Sequence, residues 1–533
     1  MGMKKEILVI FLLFLISIPA VKSLFIPGGF TSHDLTHHVI RQISMDKLLS
    51  EGQFPPRWSG ELNNGYGYPV FLFNYPLPAL VGEIFHKAGF GYETAVKAVL
   101  FVSMILGEIG MYLFLRSLLG SKMSAFLGAV FYLYAPIRFL NVYVSAAVGS
   151  ALALGILPFV FWAILGGNIL LGSICLAALI LAHNVTALMF MPVILVFSVL
   201  LRKPKIIKMV LLGLGLSAWF WLPAIWEKQY IKFYQIYDNF YKDQFISPWQ
   251  LIHSPWGYGL SHPQNPEDGD MSYQLGLIHI LVMVILIPIM WVMRGTREIR
   301  VVGGFVLTFF VTSVFLMLKN SLPVWEKLPF LSLVQFPLRF SAISVFCASI
   351  AAALLVKYLP YKKLFILSLL FLVLYANRNH WNINERFDPG EKYYLNLKTT
   401  STTYGEHLPK WGRVMNQLST GKLEVVRGVG MIRVVRNKSD LVLAKVEATS
   451  AATLKLNQIY FPGWQIEVDG KPVKFDYLND GENYGLPVFD IYSGTHTVLA
   501  EFKNTPDRSI ADTISLISVI LWGVLVCKLL INK

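Results

Sequence analysis

Asp34 stands among three histidines, His33, His37 and His38, in the stretch TSHDLTHHVIRQI (Thr31–Ile43), directly after the first apolar run. Ionisable side chains are costly to hold beside lipid and are kept there for a task. A carboxylate among imidazoles can take a proton, bind phosphate or hold a divalent cation. The spacing predicts a helix opened by Thr31, with Asp34 at N3 of a T-x-x-D capping box. In that reading the carboxylate only satisfies free N–H groups. A cap does not call for histidines, however. On a helix, His33 and His37 share one face at i,i+4, and Asp34 and His38 share the adjacent face. His33, His37 and Asp34 are therefore also candidate metal ligands, although His-x-x-x-His brings no clear third ligand.

Other residues could serve the same chemistry. Arg57, in FPPRW, can hold a phosphate or anchor to lipid headgroups. Arg339, at the mouth of a span, can receive a phosphate through its planar fork or snorkel to headgroups. His183 and Asn184 lie at a span junction, where His183 can touch a donor; satisfying broken helix backbone is the simpler reading. Glu227 follows WFWLP (219–223) and is a second acid or a solvated loop end, the latter favoured. Glu108 lies deep in a span with no partner the sequence can name. Trp411 and Trp464 are ligand platforms or, more commonly, core residues.

The elements that must position these groups are membrane helices. Of 533 residues, 55% are hydrophobic and 15% charged, which excludes an ordinary soluble composition. Apolar runs near 6–24, 92–115, 124–141, 146–165, 167–182, 185–201, 206–223, 274–293, 301–318, 338–356, 363–376 and 510–531 predict about 12 spans. Lys4 and Lys5, the 116–122 loop, Arg202 to Lys205, Arg294/Arg297/Arg300, Lys357/Lys362/Lys363 and Lys533 all fall on one side of that alternation. The positive-inside rule makes that side cytoplasmic, with both termini. The net charge of +14 is thereby accounted for without nucleic acid. The run 69–88 carries three prolines and would invert the pattern if it crossed, so it is read as interfacial or re-entrant. Cys175, Cys347 and Cys527 all fall in apolar runs, which argues against disulfides and zinc.

The expected domains are a transmembrane unit over 1–376, an extracytoplasmic β-rich unit over 377–509 and a last span over 510–533. Within the first, 25–91 is the first outer loop and 224–273 an aromatic outer loop suited to stacking on sugars or to an interfacial belt. In the second, LVLAKVEA and WQIEVDGKPVKF alternate in strand fashion, and Asp469-Gly470 marks a hairpin; a sandwich is expected.

FPPRW, GYGYPVFLFNYPLP, AHN (182–184), QFPLRF (335–340), TTYGEHLPKW (402–411) and YFPGWQIEVDGKPV (460–473) together resemble a prokaryotic family of multi-span proteins labelled 6-pyruvoyl-tetrahydropterin synthase-related. The architecture is similar to the GT-C class of integral-membrane glycosyltransferases. The resemblance implies a sugar carried on polyprenyl phosphate and an essential acid in the first outer loop, at the position of Asp34. The paired Asp-Glu or Asp-x-Asp of many such enzymes is absent here, so a divalent cation is an open expectation. On this reading Asp34 is a general base for inverting transfer. Arg339, Arg57 and His37 bind donor phosphate, and His33, His38, His183 and Glu227 bind substrate. The partners are a lipid-linked sugar donor, the bilayer and an outer-face glycan, lipid or protein acceptor. A flippase of lipid-linked glycan or a non-catalytic scaffold for surface-glycan assembly is the alternative. The lack of internal repeats and the clustering of polar residues at span ends favour the enzyme.

Overall fold

The computed structural model describes residues 2–293, 295–359, 361–478 and 484–531, with side chains from Glu6 onward. Arg294 and Lys533, and the side chains of Lys4 and Lys5, lie outside that set. Each of the twelve apolar runs is helical, but they differ in length. Among the described residues six helices are long and apolar enough to cross a bilayer: Glu6–Phe25, Tyr92–Leu119, Val148–Gly166, Ile299–Met317, Pro337–Tyr358 and Pro506–Ile531. Two further segments are bent rather than straight, by 48° between Leu133 and Pro136 and by 72° between Leu216 and Ala218, giving up to eight spans if each pair counts once. Ile169–Ala182, Asn184–Leu200 and Leu277–Val292 are apolar but shorter. A 14-residue helix rises only about 21 Å, less than the roughly 30 Å of hydrocarbon. The run at 69–88 forms two short helices, Val70–Phe73 and Leu77–Lys87, the longer rising only about 16 Å.

Local chemistry sets the turns. Gly167 takes φ +61° and ends the Val148–Gly166 helix, a left-handed cap that glycine adopts without strain. Asn168 follows at once and its side chain accepts from Leu171 N at 3.0 Å to start the next helix. The central helix, Ser341–Tyr358, is buried along nearly its whole length. Its Ser and Ala residues let neighbours approach closely: Ser344 and Ser313 Oγ are 2.8 Å apart, and a Cβ on Gly128 would lie 2.9 Å from Ser349 O.

Strands β1 (Gly29–Phe30) and β2 (Arg386–Phe387) tie the first loop to the segment after the helix Lys362–Ala376. The remaining strands are β3 (Leu423–Arg427), β4 (Gly430–Lys438), β5 (Leu441–Ala448), β6 (Ala452–Leu456), β7 (Trp464–Val468), β8 (Lys471–Pro472), β9 (Val488–Ile491) and β10 (Gly494–Phe502). They form a five-stranded antiparallel sheet, β4-β5-β10-β7-β8, and a three-stranded one, β3-β6-β9. Asp469 and Gly470, at φ +53° and +74°, make the β7–β8 hairpin. Inward residues such as Val442, Ala444, Val446, Leu454, Ile466 and Phe489 share one core. The sandwich itself thus begins at Leu423, not 377. Residues 377–422 are instead mostly irregular chain laid over the first loop: Asn63 N donates to Thr399 O (3.1 Å) and Thr31 N to Glu385 O (2.9 Å).

The loops 25–91, 224–273 and 377–509 therefore meet at one end of the bundle. His33 reaches Gly259 O (2.8 Å) and Lys410 N donates to Tyr230 O (2.8 Å). At another point of the bundle Glu6 pairs with Arg116 (3.3 Å) and Lys122 (2.9 Å), basic residues that the charge pattern groups with the N-terminus.

Candidate active site

The helix over residues 35–50 starts one turn later than the capping box requires. Asp34 is its N-cap residue, with φ −125° and no side-chain cap bond, and it is Ser32 Oγ that accepts from Leu35 N (3.1 Å). Thr31 Oγ1 turns to Glu385 O instead. The backbone of this turn is held by the membrane helices: His33 N donates to Val144 O (3.1 Å) and Asp34 N to Ser145 O (2.9 Å). The result is a half-buried Asp34 carboxylate with no hydrogen bond or ion pair to any described residue. Relieving the carboxylate of capping leaves it free for another partner.

His33 precedes the helix, so it shares no face with His37. Its Nε2 donates to Gly259 O, with Tyr258 O at 3.3 Å, which makes it a strut to the aromatic loop. His38 is buried, and burial drives its imidazole well below the ordinary value. His37 is half-buried with Nδ1 unpartnered; burial first and the Arg41 cation second hold it below its ordinary value, while Asp34 and Glu406 pull the other way. Among the described residues no three His, Cys, Asp or Glu side chains are grouped to hold an ion. The metal set His33, His37 and Asp34 is thus not assembled, and two arginines occupy the same neighbourhood. The residues present do not fit a resident divalent cation.

Arg339 comes near this place from a distant part of the chain, at the start of the span Pro337–Tyr358. It follows a strained turn: Gln335 has φ +63° and ψ −53°, and Phe336 N donates back to Val334 O at 2.7 Å. That is a γ-turn of the rarer hand, which non-glycine residues adopt at a cost. Arg339 Nη1 bridges the turn, donating to Val334 O (2.8 Å) and Gln335 Oε1 (3.0 Å), and the guanidinium lies over Phe336, 5.1 Å from the ring centre. Nε and Nη2 have no partner among the described residues. Asp34, Tyr75 and Tyr237 are the charged or titratable groups whose fields reach Arg339.

Residues that the sequence left unmarked complete the pocket. Arg41 lies seven positions after Asp34, on the same helical face, and donates to Ser401 O at 2.6 Å. Its cation acts on His37, His38 and Tyr75. Tyr75 sits over His183 (ring centres 5.0 Å apart), in space that Gly149 leaves: a Cβ there would lie 2.2 Å from the Tyr75 ring. Beside them a cavity of about 10 Å³, lined in part by His38, Arg41, Asn74 and Tyr75, is large enough for a single water. It offers that water the otherwise unpartnered Arg41 Nε and Asn74 Oδ1. Tyr237 and Glu406 lie nearby: both Asp34 and Glu406 act on Tyr237.

Three expected site residues have protein partners of their own. His183 is the N-cap of the helix Asn184–Leu200: its Nδ1 accepts from Thr186 N (3.1 Å), and Nε2 lies 3.3 Å from Ser150 Oγ. That satisfies the broken backbone and leaves the ring edge against Tyr75. Arg57 does not face the Asp34 pocket. Its Nη1 and Nη2 bind Asp512 at 3.1 and 2.6 Å, with Asn504 alongside. Glu227 is not a solvated loop end: it is 2% exposed and pairs with Arg508 (2.9 Å) and Thr505 (3.2 Å). Both pairings exist because the last helix starts at Pro506, which brings Arg508 and Asp512 onto its first turns.

The other open readings resolve similarly. Glu108 is buried near Arg138, whose guanidinium donates to Ser103 O (2.8 Å) and lies over Tyr132. Trp464 is core, and Trp411 is half-buried, donating to Tyr460 O at 2.8 Å. In the aromatic loop Tyr241 stacks on Trp325 and Trp256 on His380, while Trp249 is exposed.

No family model matches the chain. An "Uncharacterized protein" of Lactococcus lactis subsp. cremoris (strain MG1363) is 24% identical over 247 residues, covering 41% of this chain and 39% of that relative. The match therefore spans well under half of the curated relative's length. Among solved structures, the apo crystal structure of the Archaeoglobus fulgidus oligosaccharyltransferase is similar at 14% identity and a TM-score of 0.45, covering 76% of this chain and 61% of that one. A likeness at that level carries neither fold nor function over to this chain.

Proposed function

We propose that the protein is an integral-membrane glycosyltransferase that moves a sugar from a polyprenyl-phosphate donor to a hydroxyl-bearing acceptor at the β-domain end of the membrane, on the outer side. The observation that carries this reading is an uncommitted carboxylate, Asp34, and a guanidinium with one edge free, Arg339, near enough for the charge of one to act on the other. A sugar hydroxyl is a weak nucleophile, and a positioned base contributes roughly 10²–10⁴-fold. Asp34 takes the hydroxyl proton as the oxygen bonds to the donor's anomeric carbon. The bond from that carbon to the phosphate oxygen breaks on the opposite face, which inverts the centre. Its electron pair leaves on the polyprenyl phosphate, whose charge the free edge of Arg339 meets with parallel N–H donors. His37 stays neutral near pH 7 because burial and Arg41 hold it down, so it binds by hydrogen bonding rather than by charge. The family resemblance in the sequence points the same way.

The test is incubation of the purified protein with labelled polyprenyl-phosphate sugars and membrane-derived acceptors. The wild type should form a labelled product. Asp34→Asn should lose transfer at least 100-fold while retaining donor binding, because it removes the base and little else. Undiminished transfer by Asp34→Asn would end the proposal.

A further inference from the structure

The segment preceding the sandwich is not a mere tether. Residues 400–411 lie across the pocket and are fixed on both sides. Arg41 donates to Ser401 O (2.6 Å), Tyr68 OH meets Thr402 Oγ1 (2.9 Å), and His407 N donates to Tyr68 OH (3.0 Å). On the far side Lys232 N donates to Leu408 O (2.9 Å), and the Tyr237 and Tyr404 rings are 6.2 Å apart. This strap presents one carboxylate, Glu406. It is half-buried, and among the described residues its one hydrogen bond is a long one, from Tyr404 N at 3.4 Å. Like Asp34, it has no cationic partner within ion-pair distance among the described residues. Both carboxylates lie near enough to His37, with its unpartnered buried Nδ1, and to Tyr237 for their charges to act on each.

From this arrangement, which rests on the transfer reading above, we infer that Glu406 is an acceptor-positioning residue and that the site selects neutral, hydroxyl-rich acceptors over anionic ones. A carboxylate accepts hydrogen bonds from two hydroxyls of a sugar. With Asp34 engaging the reacting hydroxyl and Glu406 a neighbouring one, His37 Nδ1 is a further polar partner near both. The arginines, by contrast, belong to the phosphate: Arg339 keeps Nε and Nη2 unbound among the described residues, and Arg41 is held by Ser401 O. An acceptor carrying its own carboxylate would face two like charges at a half-buried site, which disfavours it.

The experiment uses the full-length protein with a labelled polyprenyl-phosphate sugar and two matched acceptors, p-nitrophenyl glucoside and p-nitrophenyl glucuronide. The wild type should prefer the neutral glycoside by about tenfold or more in kcat/KM, a difference of about 1.4 kcal/mol. Glu406→Gln should raise KM for the neutral glycoside and shrink the preference to within a factor of about three, with donor Kd and unfolding midpoint unchanged. Glu406→Asp should keep most of the preference. An unchanged preference in Glu406→Gln, or a wild type that binds donor yet takes neither glycoside, overturns the assignment while sugar transfer itself stands. A wild type that fails to bind donor overturns both.

Discussion

Two arginine–carboxylate clusters sit at the junction of membrane helices and β domain, and they are built oppositely. At Glu227–Arg508 every group is spent. Arg508 grips the carboxylate through Nε (2.9 Å) and Nη2 (3.0 Å), donates to Pro462 O (2.7 Å) and lies 4.6 Å from the Phe502 ring centre. Arg57 and Asp512 form a second pair beside it. At Asp34–Arg339 the carboxylate is unbound and the guanidinium is half bound, steadied only by its own strained turn. Both clusters use the same residue types. The difference is that the first joins the last helix to the bundle and the sandwich, whereas the second leaves its charges for something that arrives later. A buried, fully hydrogen-bonded pair marks assembly; a half-buried, unspent pair marks function.

The sharpest way to break this contrast is to remove one partner from each cluster. Glu227→Ala strands the Arg508 cation at 0% side-chain exposure and should destabilise by about 3–5 kcal/mol, read as an earlier unfolding midpoint in detergent. Asp34→Asn should stay within about 0.5 kcal/mol of wild type. Equal midpoints for the two variants would erase the distinction. Next in size, Arg339→Ala should cost roughly 10²–10³ in transfer rate with the fold retained. Arg57→Ala should show the reverse pattern, destabilised by the loss of Asp512 but normal in donor binding. A donor-binding defect in the folded Arg57 variant would return that residue to the phosphate site.

How much of this was legible in sequence follows from range. The strands were readable because LVLAKVEA alternates and β5 indeed buries every second residue, and Asp469-Gly470 names its own turn. The helical runs were readable from apolar length, but not which of them bend or fall short, since that is set at Ser217 and at Pro136 by packing. Asp34 was found, yet its place in the cap was not, because Thr31 and Ser32 are equally good caps by type and only Glu385 draws Thr31 away. The pairings of Arg57 and Glu227 were not legible for one reason: their partners lie 455 and 281 positions away, and no local period encodes such a pairing. Glu406 and Tyr237 carried no signal at all. Arg41 carried a faint one, its spacing of seven from Asp34.

Acid should also act on the strap beside the open cluster. His407, beside Tyr68 and Phe73, is held by burial at about 4, against an unfolded value near 6.5. Between those values the unfolded chain binds the extra proton, so stability rises with pH. The contribution is complete above about pH 6.5 and is lost as pH falls toward 4, the loss amounting to at most roughly 3 kcal/mol. Burial also depresses His37 and His38, which act with the same sign. His407→Phe keeps a ring between Tyr68 and Phe73 and removes the titration. Its unfolding midpoint should therefore fall less than that of wild type between pH 7 and pH 4. Parallel curves for the two proteins would show that His407 is protonated without penalty and that the strap over the pocket is looser than its bonds imply.

The smallest effect concerns the turn that holds Arg339. If Gln335 is strained at φ +63°, glycine should tolerate the position better than alanine by about 1 kcal/mol, although both remove the Oε1 contact to Arg339. Without that strain the ordinary preference runs the other way, because glycine gives the unfolded chain more freedom. The sign of the Gly-minus-Ala difference in unfolding free energy therefore reports the strain directly. Transfer should fall several-fold in both variants, since Arg339 keeps Val334 O but loses its second anchor. If transfer were untouched while the Gly variant gained stability, the turn would be a cost of the chain's path. If transfer falls in both, the strained turn serves to aim the free edge of the guanidinium, which the closed Glu227–Arg508 pair achieves with direct bonds instead.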